Sequence, residues 1–404
     1  MCSTDGLFPF PYPFQQIFMK NILSPLSARL AAPAVAALCL LGACNNNTTT
    51  EQNGAMNADS TAMTPTDTSM TTGGMMAAVK PTGPAPDWAP NIAPEMLAVI
   101  EKLDSLSGPT PPYELTPAQV RKAPSFKDAL TAVMTKYNIP TPNADVDTIS
   151  QMVQTGVKAR IYTPQGATGT LPVIVYYHGG GWVIANLDTY DASARALAAK
   201  ANAIVVSVAY RQAPENKFPT AHNDSFAAYQ WVLKNAASFK GDPQRVAVAG
   251  ESAGGGLAAA VSMMARDKGV QLPKYQVLVF PIAGYDVNTP SYKEHTKSKP
   301  LNKPFMEWFF KYYLRTPADG KNPLVDLVNA NLKGLPPTTI IGAGIDPLMS
   351  EGKTLADKLQ AAGVTVNYKL YPNVTHEFFG MGAVVPQARE AEDLAASDLK
   401  NALK

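Results

Sequence analysis

Cysteine is almost missing from this 404-residue chain: Cys2, Cys39 and Cys44 are the three, and none lies beyond residue 44. A disulfide framework, a thiolate metal site and a cysteine nucleophile are therefore excluded from everything that follows. Charge is sparse as well. Lys, Arg, Asp and Glu make up 16% of the residues, and the formal net charge is +2. The basic residues are scattered without a stripe of interleaved aromatics, so nucleic acid is not an expected partner. Histidine occurs only as His178, His222, His295 and His376, which narrows any search for a general base to four positions. No apolar run approaches the ~20 residues of a membrane-spanning helix.

What hydrophobicity there is near the N-terminus has a different pattern. Met19-Lys20 and Arg29 precede an apolar stretch from Leu30 to Leu41, which closes in Leu41-Gly42-Ala43-Cys44. Basic residues, a short apolar core and small residues before a cut site read as a secretory signal peptide. The last four residues resemble a lipobox, the bacterial lipoprotein cleavage site at which the cysteine is acylated. Residues 1–44 are thus expected to be a signal peptide with Cys44 as the lipidation site. Asn45 in place of Asp resembles the pattern of lipoproteins sent outward, to the periplasm or outer membrane. An ordinary signal peptide with an incidental Cys44 is the alternative. Residues 1–18 fit no signal-peptide region, which makes Met19 a candidate start. From Asn45 to about Pro86 the chain is Thr, Met, Ala, Asn, Gly and Pro. Such a composition buries too little apolar surface to offset its ordering entropy, and reads as a tether.

Beyond residue 157, β-branched runs alternate with helical patterns. Strands are expected at 157–162, 171–177, 203–209, 245–249, 275–280, 338–343 and 364–371. Helices are expected at 189–201, 221–237, 254–268, 350–362 and 387–403. Continuously apolar runs such as Ile204-Val205-Val206 fit strands covered on both faces. The rhythm implies an α/β fold with a doubly wound, mostly parallel sheet. Residues 91–150 and 284–330 break it, and are expected to form a helical cap over the strand ends where such sheets bind ligands.

Gly250-Glu251-Ser252-Ala253-Gly254 is entered by the apolar run Val246–Ala249 and left by the small-residue run Gly255–Val261. That context is a nucleophile elbow, whose tight turn lifts a serine above the sheet. A serine hydroxyl needs a positioned base. In this arrangement the acid and then the histidine follow the serine in sequence, which leaves His295 and His376. His295 sits in a polar, Lys-rich stretch and is expected at the surface. His376 follows a strand, and is expected to be the base. Asp346, after the preceding strand, is expected to orient it. Capping the next helix is the alternative for Asp346, although Ser350 lies closer to that helix. His178-Gly179-Gly180-Gly181-Trp182 follows another strand, and backbone N–H groups of Gly180, Gly181 and Ala253 are the expected oxyanion donors. His178 is expected to pin that loop. No metal or cofactor is called for.

These motifs together resemble the bacterial hormone-sensitive-lipase-like esterases of the α/β-hydrolase superfamily. The likeness covers about residues 90–390. It rests on His178–Trp182, Val205–Glu215, Gly250–Gly255, Asp346-Pro347-Leu348 and His376. It implies an α/β-hydrolase domain over residues 87–404, a Ser252–Asp346–His376 triad, the oxyanion loop and a small-molecule ester substrate. Three positions depart from the family: Glu251 stands for Asp, Ala209 for an acidic residue, and Glu377 for Gly. Trp182 is a candidate substrate-binding residue. Phe305, Trp308, Phe309, Tyr312 and Tyr313 either line a pocket or pack as a helix stripe, with packing preferred. The expected activity is hydrolysis of short or medium carboxylic esters. A hydrolase-fold binding protein without catalysis and a peptidase or amidase are the alternatives. Oligomeric state is not legible.

Overall fold

The computed structural model describes residues 78–404, Ala144 apart. The expected signal peptide, the Cys44 lipidation site and the linker up to residue 77 lie outside the described residues. The chain begins with helices α1 (Pro94–Leu106), α2 (Pro117–Val120) and α3 (Phe126–Lys136). An antiparallel hairpin follows, β1 (Val146–Gln154) and β2 (Val157–Pro164). Next come β3 (Leu171–Tyr177), α4 (Asp191–Ala201), β4 (Ile204–Ala209) and α5 (Thr220–Asn235). They lead to β5 (Gly241–Glu251), α6 (Ala253–Asp267) and β6 (Gln276–Val279). Two short helices interrupt here, α7 (Pro290–Glu294) and α8 (Lys303–Tyr313). The chain closes with β7 (Thr338–Ile345), α9 (Met349–Ala361), β8 (Val366–Thr375) and α10 (Pro386–Ala402).

The strands form an eight-stranded sheet in the order β1-β2-β4-β3-β5-β6-β7-β8. The β1–β2 and β2–β4 pairs are antiparallel, and every pair from β4–β3 to β7–β8 is parallel. Alternation along β3 explains why its sequence is apolar throughout. Val173, Val175 and Tyr177 enter the core shared with α5, α6 and α9, while Ile174 and Tyr176 enter the opposite core, shared with α1, α3, α4 and α10. A strand buried on both faces has no polar side to show. Gly363, at φ +85°, stops α9 in the left-handed conformation that glycine adopts freely.

Three expectations change. β1 occupies Val146–Gln154, so the end of the 91–150 segment belongs to the sheet and not to a cap. It is an edge strand exposed at most positions, with Ile149 and Met152 facing solvent, and therefore lacks the apolar signal of its neighbours. The folded body also begins before residue 87, within the segment expected to be linker. Val79 is buried, and the backbone N–H groups of Thr82 and Gly83 donate to the Glu101 carboxylate at 2.6 and 2.8 Å. At the other end of the same helix, the Ala93 N–H donates to the carbonyl of Asn373 at 2.8 Å, tying the entry of α1 to β8. Finally, His295 is buried at the end of α7 and is not a surface residue.

Candidate active site

The tight turn between β5 and α6 places Ser252 in a conformation side chains rarely adopt, φ +54° and ψ −118°. A non-glycine residue held there costs about 1–3 kcal/mol, and persists only where its surroundings over-determine it. Here they do. The Ser252 N–H donates to Val279 at 2.9 Å, and its carbonyl accepts from Gly256 at 3.1 Å and Ile282 at 3.0 Å. Gly254 passes against the backbone carbonyls of Tyr177 and His178, where a Cβ would overlap both. Strand and helix approach this closely only because that residue is glycine.

Across the turn, His376 Nε2 lies 2.9 Å from Ser252 Oγ, and Nδ1 lies 2.7 Å from Asp346 Oδ2. All three side chains are buried, with the serine at the floor of a cavity. β8 continues to Thr375, four residues beyond its expected end, and delivers His376 directly from the strand. β7 delivers Asp346 in the same way. The second Asp346 oxygen accepts the Leu348 N–H at 2.9 Å. Ser350 is not the cap of α9: its N–H and hydroxyl are engaged by Ser291 of α7. Burial disfavours a charged imidazole at His376. The Asp346 carboxylate, its hydrogen bond and Glu377 outweigh that, and hold the pKa above the ordinary histidine value.

Gly180 and Gly181 stand beside Ser252 on the cavity wall, at φ +92° and +57°. Among the described residues, no acceptor meets the N–H of Gly180, Gly181 or Ala253. Three unsatisfied backbone donors beside a serine make a cradle for negative charge. His178 behaves as expected. Its Nδ1 bonds Gly179 O at 2.8 Å, its ring stacks on Tyr210 with centroids 4.4 Å apart, and burial drives its pKa down to about 4. It is a neutral structural residue.

Trp182 departs from expectation. It does not line the cavity but is buried behind the loop, stacked on Tyr313 at 4.4 Å and next to His222 and Phe310. The left-handed backbone at Trp182, φ +60°, turns the ring inward. The aromatic stripe of α8 divides between its two readings. Phe305 and Phe309 face the cavity, whereas Tyr313 packs against Trp182, and Trp308 donates to Leu115 O at 2.9 Å.

The cavity has a volume of about 1100 Å³. Its walls come from residues 100–142, 180–195, 296–309 and 376–383, with Ser252 and His376 at the base. Arg121, which ends α2, ties the first wall to the oxyanion loop. Nε donates to Val183 O at 2.8 Å, Nη2 to Ala213 O at 2.6 Å, and the fork is bidentate to Glu215 at 2.8 Å.

Glu251 and Glu377 stood out in the sequence, but their grouping with Tyr176 and Tyr190 did not. Glu251 is fully buried below the elbow, and the Tyr176 hydroxyl donates to it. Burial, with Glu377 nearby, pushes its pKa well above the ordinary carboxylate value and so favours the protonated acid. Glu377 follows the histidine at φ +69°, and the Tyr190 hydroxyl lies 2.7 and 2.8 Å from its two oxygens. Burial raises the Glu377 pKa too, against the pull of His376 and Tyr190. Tyr176, Tyr190, Glu251 and Glu377 come from four separate segments, so no local motif announces the group.

Residues 174–380 match the family described as alpha/beta hydrolase fold. A carboxylesterase of Mycobacterium tuberculosis, NlhH, is 41% identical over 62% of this chain and 79% of its own length. The ethyl acetate hydrolase of Pseudomonas putida is 30% identical over 73% of this chain and 93% of its own. Among solved structures, a thermostable esterase from Pseudomonas putida superposes with a TM-score of 0.72 at 30% identity, covering 78% of this chain and 99% of that one. With its mostly parallel eight-stranded sheet and its serine elbow, the chain belongs to the hormone-sensitive-lipase-like esterases of the α/β-hydrolase superfamily.

Proposed function

We propose that the protein hydrolyses carboxylic esters of short or medium acyl chains through an acyl-enzyme on Ser252. Ser252 Oγ attacks the ester carbon as its proton passes to His376 Nε2. The N–H groups of Gly180, Gly181 and Ala253 hold the oxyanion, and Asp346 stabilises the imidazolium through Nδ1. The imidazolium then protonates the departing alcohol. Water repeats the sequence in reverse roles, attacking the acyl carbon as Nε2 takes its proton, and the acid leaves as Ser252 regains its own. Each proton transfer is served by residues of this chain. The observation that carries the reading is the unbroken run from Oγ to Nε2 at 2.9 Å and from Nδ1 to Oδ2 at 2.7 Å. The names of the relatives support an ester as substrate, and one of those esters is small.

The walls over residues 90–143 and 284–330 serve in this reading as a cap that shields the acyl-enzyme. Export, cleavage before Cys44 and acylation there would tether the enzyme to a membrane through residues 45–77. Acyl chains supply about 0.8 kcal/mol per buried CH₂. Cys44→Ser should move the protein from the membrane fraction to the soluble one; an unchanged distribution sinks the anchor. A non-catalytic binding protein is disfavoured by a base already within hydrogen-bonding distance of Ser252. Ser252→Ala should abolish turnover of a chromogenic short-chain ester while the fold is kept, and a fluorophosphonate should label the unaltered serine stoichiometrically. Turnover by the alanine variant would refute the assignment.

A further inference from the structure

His376 Nε2 must reach both Ser252 Oγ and the oxygen of the departing alcohol. A group close to Nε2 and open to the cavity therefore stands beside the alcohol half of the ester. Glu377 is that group. Its Oε1 lies 3.9 Å from Nε2, and the side chain lines the cavity. A carboxyl group offers about four acceptor positions, or three if protonated. Among the described residues, Tyr190 supplies one hydroxyl proton to them, and no Lys or Arg pairs with the group. Acceptor capacity is left over, and it faces the space the alcohol must occupy.

The backbone adds a second observation. Glu377 sits at φ +69°, in the left-handed region that side chains rarely adopt. The Tyr190 hydroxyl, reaching both oxygens from beside α4, holds the carboxyl in place at this strained position. An observed outlier next to a reacting atom is a reason to look for function.

We propose that Glu377, positioned by Tyr190, sets specificity on the alcohol side, favouring esters whose alcohol carries a hydrogen-bond donor, hydroxyl or protonated amine, close to the scissile oxygen. The inference rests on Ser252 and His376 acting as proposed above. An uncharged donor accepted there should gain a few-fold in kcat/KM over a hydrocarbon of the same shape, and a protonated amine roughly tenfold or more. Long alkyl alcohols gain nothing from this wall.

The test uses the full chain and four butyrate esters in two shape-matched pairs. One pair is 2-hydroxyethyl against propyl; the other is 2-(dimethylamino)ethyl against 3-methylbutyl. The unaltered enzyme should prefer the first member of each pair. Glu377→Gln should keep the hydroxyl preference and lose the amine preference, because an amide accepts a hydrogen bond but carries no charge. Glu377→Ala should bring both ratios close to one, and Tyr190→Phe should narrow both. Ratios are read within each variant, so a general loss of activity does not enter them. If Glu377→Ala does not fold, the amine ratio in Glu377→Gln decides. Unchanged ratios would overturn the proposal, as would an equal fall for all four esters, which marks a loop defect or a role in hydrolysing the shared acyl-enzyme. Ester turnover by Ser252→Ala would instead be a failure of the earlier assignment.

Discussion

Replacing Asp346 by asparagine removes one charge and almost no volume, yet the surroundings of the side chain predict a large effect. Oδ1 accepts the Leu348 N–H at 2.9 Å and Oδ2 faces His376 Nδ1 at 2.7 Å, with the Asp346 side chain fully buried. An asparagine can orient its amide in two ways. Placing the NH₂ against Leu348 would oppose two donors and leave a buried N–H without an acceptor, at a cost of about 1–3 kcal/mol. The carbonyl therefore keeps Leu348, and the NH₂ is turned toward Nδ1. Nδ1 must then accept, which moves the imidazole proton to Nε2, the atom that has to take the proton of Ser252. The base is in place with the wrong tautomer. The expected loss in kcat is about 10⁴-fold, or about 5 kcal/mol of barrier. Turnover of 4-nitrophenyl butyrate measures it, and ¹⁵N spectra of the histidines report the proton on Nδ1 in the parent and on Nε2 in the variant. Activity within tenfold of the parent, or a proton still on Nδ1, would refute the reasoning. The same carboxylate bears on pH. Because His376 is held above the ordinary value of ~6.5, the acid limb of kcat/KM lies above that pH, and activity falls as pH drops through it. Loss of the carboxylate should move that limb downward in whatever activity remains.

Glu251→Gln tests whether the buried acid is neutral. Its folded pKa is raised, so the folded state keeps a proton that the unfolded chain releases above pH ~4.3, and stability falls as pH rises from there toward the folded pKa. The slope is about 1.4 kcal/mol per pH unit. Glutamine carries no such proton, so the variant should gain on the parent as pH rises above ~4.3 in urea denaturation; a difference independent of pH would refute a raised pKa. Arg121→Ala should lower kcat/KM roughly tenfold by loosening the cavity wall from the oxyanion loop. Arg121→Lys should rescue little, since an ammonium cannot reproduce the fork on Glu215; full rescue in the same assay would remove the geometric argument.

Much of the fold was legible because its central strands are buried on both faces, and such strands leave continuous apolar runs. β1 was not, because residues such as Asp147, Thr148, Ser150 and Gln151 belong to an exposed edge held by backbone bonds to β2. Ser252, Asp346 and His376 could be found by elimination, each standing at the end of a recognisable strand. Trp182 was misread for a local reason: the direction of its ring depends on one left-handed backbone angle that composition does not encode. His295 illustrates a different limit. Its neighbours are polar, but α7 packs on the start of α9 through Ser291 and Ser350, and burial follows from that partner. Glu377 was visible as an unusual residue, while its partner Tyr190 lies far away in sequence and could be matched only in space.

The bond between Ala93 and Asn373 also has a meaning for the order of assembly. A chain that emerges N-terminus first presents α1 long before β8 exists. By then the apolar face of α1, carrying Met96, Leu97, Val99 and Ile100, already has α3 to pack against, so the two helices can pair before the sheet is complete. Contacts between such distant parts of a chain form late, because the loop between them must close first. The core strands can assemble while the entrance to the serine is unfinished. Only the tie of α1 to β8, through Ala93 and Asn373, has to wait until nearly all of the protein has been made, so the N-terminal helices join the sheet as a preformed pair.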